Sequence, residues 1–456
     1  MLAMRGIVLA TLGSAALLWA GCVGGGAFEC QQDSDCVDNG PGFCEPAGFC
    51  SFADVQCPSG KRYGDFAGSL SGLCVGDEPA DAGGTDGSRF DGAPADCSAS
   101  VVSFEPANVS CAELPSPGDA LDVDAFAILD TDAPSLTIGG DPQTISTAVV
   151  AQTGGPALLV VTTAQFTLSA GAVLRVQGSR PAVIVSAGDV AIAGEINAGG
   201  DNSAPGPGSD HATACATGFG GDGAVQTSAN GVAAGTGGGG GAYGGAAAVS
   251  PAVLGSGGTD AAGGAANGNA ELSPLRGGCH GGAGASPATG GGIAGNAGGA
   301  LQIVSNATIT VAATGVVASP GGGGGGTTAS RSGGAGGGSG GAILLEAMDV
   351  AIDGAVTANG GGGGEGSRTG FPTNPGQAGH LADSNAASGG TGGSGQGGDG
   401  GAGGAANPPE PGLEGGVSMT NTGGTGGGGG SVGRIRFVTH SGTPAMVTGT
   451  VSPPAQ

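Results

Sequence analysis

Aromatic side chains are scarce: the 456 residues include one tryptophan, two tyrosines and 12 phenylalanines. A core anchored by large rings is therefore not expected. Positive charge is also scarce, with 11 basic residues against 36 acidic ones, Lys61 as the sole lysine and a formal net charge of -25. Such a chain repels nucleic acid and anionic lipid surfaces, which excludes both as expected partners. Beyond residue 22 there is no apolar run long enough to span a bilayer. No apolar period of 3.6 residues persists either, which argues against a helix bundle. Glycine is abundant at 109 residues, yet it follows no Gly-x-y period, so collagen is excluded.

What is present begins with an address. Residues 1–5 are a short basic start, residues 6–19 are apolar, and Ala20-Gly21-Cys22 follows. That length suits an export signal over residues 1–21. The ending resembles a bacterial lipobox, although Trp19 stands where that pattern prefers leucine. The resemblance implies a diacylated Cys22, a short tether over residues 22–27 and attachment to the outer membrane through the N-terminal lipid. Val23, where an aspartate would direct Gram-negative lipoproteins elsewhere, agrees with that membrane.

Eleven cysteines minus Cys22 leaves ten, an even number in an oxidising compartment, and five disulfides are the economical expectation. Cys30, Cys36, Cys44, Cys50, Cys57 and Cys74 sit among Gly, Pro and Asp turn residues over residues 28–75. So short a module needs disulfides in place of a core. The spacing leaves every pairing of the six open. The absence of Cys-x-Cys argues against an EGF-like module, and no Cys-x-x-Cys or histidine offers a zinc set. The module resembles the cysteine-rich heads of predicted lipoproteins of myxobacteria, a family without an assigned activity. Residues 76–96 read as an acidic Pro/Gly linker, and Cys97 and Cys111 bracket one disulfide-closed loop.

A triplet of short apolar alternations then recurs. Val183-x-Val185, Val190-x-Ile192 and Ile196-x-Ala198 are matched by Ile343-x-Leu345, Val350-x-Ile352 and Val356-x-Ala358, with Gly194 and Gly354 equivalent. Leu301-x-Ile303, Ile309-x-Val311 and Val317 form a looser copy; others begin at Leu159 and Ile435. In chain order the first two copies, at Leu159 and Val183, start about 24 residues apart, the footprint of one triangular coil. The chain is mainly β, and residues 97–456 are expected to form a right-handed parallel β-helix of about five coils. Its inward column would contain Val183 and Ile343. A β-sandwich would not repeat one fixed set of spacings. The second half also resembles the β-helical stalks of surface adhesins.

Glycine-rich inserts, at about 199–299, 321–341 and 359–430, each leave after a third strand and return at a first. Ordering a residue costs about 1–2 kcal/mol, and more for glycine. Burying little to offset this, the inserts are expected to be mobile, or to order only through backbone hydrogen bonds in extended polyglycine-like packing.

Chemistry-bearing motifs are weak against this background. Ser339 and Ser431 fit Gly-x-Ser-x-Gly, but no helix follows as a nucleophile elbow requires. His211, Cys215, Cys279 and His280 are zinc-ligand types, yet adjacent Cys279 and His280 rarely reach one metal. A Cys215–Cys279 disulfide closing about 64 residues is the preferred reading, worth roughly 4 kcal/mol. Asp189, Glu195, Glu346, Asp349 and Asp353 are scattered and read as turn acids, short of the carboxylate cluster a polysaccharide-cleaving β-helix needs. Asp119, Asp122, Asp124, Asp130 and Asp132 match no calcium repeat and read as solvated acids.

The expectation is an exported outer-membrane lipoprotein at the cell surface, with the periplasmic face as the other location. Its role would be structural or adhesive, with no catalysis, cofactor or metal, and with extracellular matrix or polysaccharide as the candidate partner. A polysaccharide lyase or hydrolase is the alternative function, and calcium-dependent matrix binding the third.

Overall fold

The computed structural model describes residues 30, 36, 42–45, 49–54, 57, 59–64, 74–75, 97 and 100–456, apart from 202, 369–372, 393–396, 406–407, 409–416 and 419–420. The signal at residues 1–21, Cys22, the tether at 22–27 and the linker at 76–96 lie outside them. Two compact units divide the chain, residues 1–92 and 93–456. The fold is mainly β; the helical element among the described residues is one 3-10 turn, Cys111–Glu113.

The first unit carries an antiparallel sheet of Phe43–Cys44, Cys50–Ala53 and Lys61–Tyr63. Three disulfides hold it: Cys30–Cys44, Cys36–Cys50 and Cys57–Cys74. They decide the pairing that spacing left open. The sulfurs of Cys30, Cys36 and Cys50 lie within 4.8 Å of one another because two bridges are adjacent. Being oxidised, they offer no thiolate to a metal.

In the second unit the period-two alternation becomes three curled ladders. The first stacks Leu158–Thr163, Ala182–Ser186, the leading parts of Ala300–Val311 and Ala342–Ile352, and Arg434–Thr439, all parallel. The second stacks Leu121–Val123, Phe166–Leu168, Val190–Ile192, the trailing parts of the same two long strands, and Met446–Val447. The third stacks Ala127–Asp130, Val173–Gln177, Glu195–Asn197, Val316–Ala318, Ala355–Thr357 and Thr450–Ser452. A register shift between Ser305 and Thr308 bends the long strands from one ladder into the next. Antiparallel strands Ser135–Ile138, Asp141–Gln143 and Ser146–Val150 extend the N-terminal side of this stack. No sequence expectation identified them.

Equivalent side chains stack in columns between the ladders. Leu159, Ala182, Leu301, Ile343 and Ile435 form one; Leu174, Ile196, Val317 and Val356 form another. This corrects the expected inward placement of Val183. Ala182 and Ile184 point inward, whereas Val183 and Val185 face outward into a second apolar cluster. A strand apolar on both faces carries no signal for its register, and a one-residue slip exchanges the faces. Val101, Val109, Tyr243, Leu272 and Leu275 cover this outer face. The Cys97–Cys111 disulfide closes the loop that supplies the first two.

Glu346 sits on the same outer face, 2% exposed. It accepts from the Ala107 N–H at 3.0 Å and from Gln302 Nε2 at 2.9 Å, and pairs with His440 Nε2 at 3.1 Å. Phe104 stacks on His440 at 3.8 Å. The buried carboxylate thus ties the disulfide-closed loop to the ladder.

The expectation that the glycine inserts bury little is also corrected. In the 332–341 segment, Gly334, Gly337 and Gly340 donate their N–H groups to Thr425, Gly428 and Ser431. Gly333, Gly336 and Ser339 donate to Ala285, Gly282 and Cys279, while Ala335, Gly338 and Gly341 donate to Gly325, Gly322 and Ser319. Every third residue faces the same neighbour, the three-residue period of an extended polyproline-II-like chain. The segment's carbonyls accept from three further segments, through Gly238 and Gly241, Gly292 and Gly295, and Gly361 and Gly364. It is therefore a rod surrounded by six others.

Close approach explains the composition. A Cβ on Gly336 would lie 1.9 Å from the Gly239 carbonyl oxygen, and one on Gly333 2.0 Å from that of Thr236. These neighbours are backbone and have no side-chain rotation with which to yield. Glycine's ordering cost is offset by the rows of N–H···O=C bonds that the rods make to one another away from water.

Candidate functional site

Register gives the glycine bundle two distinct ends. Segments 319–326 and 358–367 leave the third ladder, and segments 291–299, 332–341 and 424–433 return to strands of the first. At the opposite end the rods reverse, and there the glycine runs are interrupted by bulkier residues. The described reversals at that end are residues 225–234, 250–260, 286–290 and 327–331.

Side-chain bonds hold these reversals together. Gln226 accepts from the Val253 N–H at 2.9 Å and the Ser256 hydroxyl at 2.8 Å, and donates to the Thr259 carbonyl at 2.6 Å. Ser332 donates to the Ser286 hydroxyl at 2.6 Å, and the Thr327 N–H donates to Thr373 Oγ1 at 2.7 Å. Exposed on this tip are Val225, Leu254, Thr259, Pro287, Thr289 and Thr328. Hydroxyl groups both donate and accept, so such a surface can bond a neutral, hydroxyl-rich polymer. Its signal in the sequence was the phrases "AVQTSANGVA", "PAVLGSGGTD", "ASPATG" and "TTASRS", which break otherwise glycine-rich stretches.

Most residues singled out by motif are spent on local structure. Ser339 is buried, accepting from the Cys279 N–H at 2.9 Å, and Ser431 accepts from the Tyr243 N–H at 2.9 Å. Asp189 accepts from the Thr308 N–H, Glu195 from Asn197, Asp349 from Ser441 and Asp353 from Thr448. Asp130 caps its own turn; the Ala133 N–H, ahead of the burial that opposes it, holds its carboxyl below the usual range. Asp132 accepts from Ser179 and pairs with Arg180, while Asp119, Asp122 and Asp124 are exposed.

Cys215 and Cys279 form a disulfide, which removes both from the zinc-type set with His211 and His280. Beside that bridge, Asp210 adopts a left-handed backbone at φ 56° and accepts from the His280 N–H at 2.8 Å. Burial raises its carboxyl above the ordinary value, against the opposing pull of His280. A carboxyl that folds with a raised pKa costs stability when ionised, and the cost fades as pH falls through that pKa. Asparagine keeps the acceptor and tolerates the backbone. Asp210→Asn is expected to raise the melting temperature near neutral pH, with the gain shrinking toward about pH 4. Melts across that range check this; a gain independent of pH would contradict it.

No protein family, curated protein or solved structure matches the chain.

Proposed function

We propose that the protein is an extracytoplasmic surface lipoprotein with a structural or adhesive role and no catalytic step. In this reading a diacylated Cys22 holds it to the outer membrane. The stacked ladders act as a right-handed parallel β-helix of about five coils, and the glycine bundle presents its tip to extracellular matrix or polysaccharide. The supporting observation is that the reversals at residues 225–234, 250–260, 286–290 and 327–331 lie at the end of the bundle away from the ladders, free of the packing that ties the loops at 265–276 and 380–386 to the ladder end. A rigid array of backbone bonds pre-orders that surface, so little conformational entropy is lost on contact.

The test is attachment of intact cells carrying wild-type protein or Val225→Asp with Leu254→Asp, alongside protease shaving. The expected result is release of tip peptides from intact cells, and loss of attachment by the variant at unchanged surface amount. Protection of those peptides until the outer membrane is opened would place the protein inside the envelope and remove adhesion. Equal attachment by both proteins would dismiss the tip.

A further inference from the structure

Arg434 and Arg436 lie two residues apart on one strand and share its outer face, since Ile435 and Phe437 turn inward. The guanidinium of Arg276 stands 5.8 Å from the centroid of the Tyr243 ring on that face. In a chain of net charge -25, this gathering of cations is unusual. Arg436 is neutralised by an ion pair with Glu271. The other two hold neutral partners. Arg434 Nη1 donates to Gln456 Oε1 at 2.6 Å, while Arg276 donates to Asn267 Oδ1 at 3.3 Å and to the Asn267 carbonyl. Neither has a carboxylate partner among the described residues.

Two polar atoms here lack hydrogen-bond partners. Tyr243 is 0% exposed, and its hydroxyl and the Nε of Arg434 are both buried and unpaired. They flank the same glycine: a Cβ on Gly268 would lie 2.9 Å from Tyr243 Cζ and 3.1 Å from Arg434 Nε. Burial raises the phenol to about 12, ahead of the lowering effect of Arg276 and Arg434, so it remains a donor at neutral pH. Buried polar groups without partners are rare, and each calls for a physical reason.

We propose that Arg276, Arg434 and Tyr243 form a binding site for a carboxylate. Two guanidiniums supply only donors and the phenol adds an O–H donor, while an ionised carboxylate supplies only acceptors, with two oxygens to share among them. The entering group exchanges the neutral oxygens of Asn267 and Gln456 for an ionised one and gives Arg434 Nε and the Tyr243 hydroxyl their acceptor. Residues 265–266 and 269–270, on either side of the Gly268 that contacts both groups, are exposed, so the loop over the site meets solvent. The acidic field of the whole chain disfavours a phosphate dianion relative to a monoanion.

The experiment is calorimetric titration of the full chain with sodium acetate, sodium glucuronate and inorganic phosphate at constant ionic strength in chloride. Saturable binding of a carboxylate is expected. Equal affinity for acetate and glucuronate would assign the carboxylate alone, and tighter glucuronate would assign a sugar acid. Arg276→Met and Arg434→Met should each weaken binding about tenfold, in keeping with loss of a charge-assisted bond. Tyr243→Phe should weaken it several-fold without lowering the melting temperature. If Arg434→Met does not fold, Arg276→Met and Tyr243→Phe carry the test. Absence of saturable carboxylate binding, binding of phosphate alone, or unchanged affinity in Arg276→Met and Tyr243→Phe would overturn the proposal.

Discussion

Gly336→Ala is expected to destabilise the second unit by about 1–3 kcal/mol or more, the range for overpacking a close-packed interior. Its Cβ would lie 1.9 Å from the Gly239 carbonyl oxygen, inside a rod bonded on all sides. Relieving that overlap means separating rods, and each separation stretches a row of hydrogen bonds spaced three residues apart. Gly245→Ala is the matched control, because nothing lies within 4 Å of its Cβ position and its φ is not in the left-handed region. There alanine reduces only the freedom of the unfolded chain, and a gain of about 0.4–1 kcal/mol is expected. Chemical denaturation of both variants checks the contrast. Equal stabilities would mean the rods are not packed at this spacing.

Removing the Cys215–Cys279 bridge by a double alanine substitution should cost roughly 4 kcal/mol, the chain-entropy value for so long a loop. The bridge spans 64 residues and encloses several glycine rods, whose large buried side chains, Tyr243, Leu272 and Leu275, lie against the ladder. Both cysteines are fully buried, so the variant also loses packing at the foot of the bundle. Hydrogen exchange should rise across residues 216–278 while the ladders from Ala182–Ser186 to Ala342–Ile352 stay protected. A loss below about 1 kcal/mol with unchanged exchange would show that backbone bonding alone holds the rods.

Much of the ladder framework is legible in the sequence, because alternation of apolar residues reports burial of one strand face. The repeats at Leu159, Leu301, Ile343 and Ile435 all fall on the first ladder. Val183 shows where the signal fails: with both faces apolar, neither is marked as inward. The antiparallel strands Ser135–Ile138 and Asp141–Gln143 escaped notice because the first offers a single short alternation outside the repeated triplet, Leu136-x-Ile138, and the second is exposed throughout. Of the tip, the interruptions in glycine were visible, but not that they meet in space. The Tyr243 and arginine cluster left no trace in the sequence, since its members come from positions 243, 276 and 434.

Composition and spacing by themselves determined a β-rich, disulfide-stapled, acidic chain whose apolar triplets recur. They also determined that its glycine stretches either move or bond through their backbones. Tertiary structure decided between those two outcomes, because a rod gains its bonds only from neighbours that approach from distant parts of the chain. It also chose the cysteine partners and the buried face of Val183, and placed two arginines beside an unpaired phenol. Local sequence carries the preferences of a strand or a turn. Which surfaces meet depends on packing between segments up to hundreds of residues apart, and no local pattern encodes that.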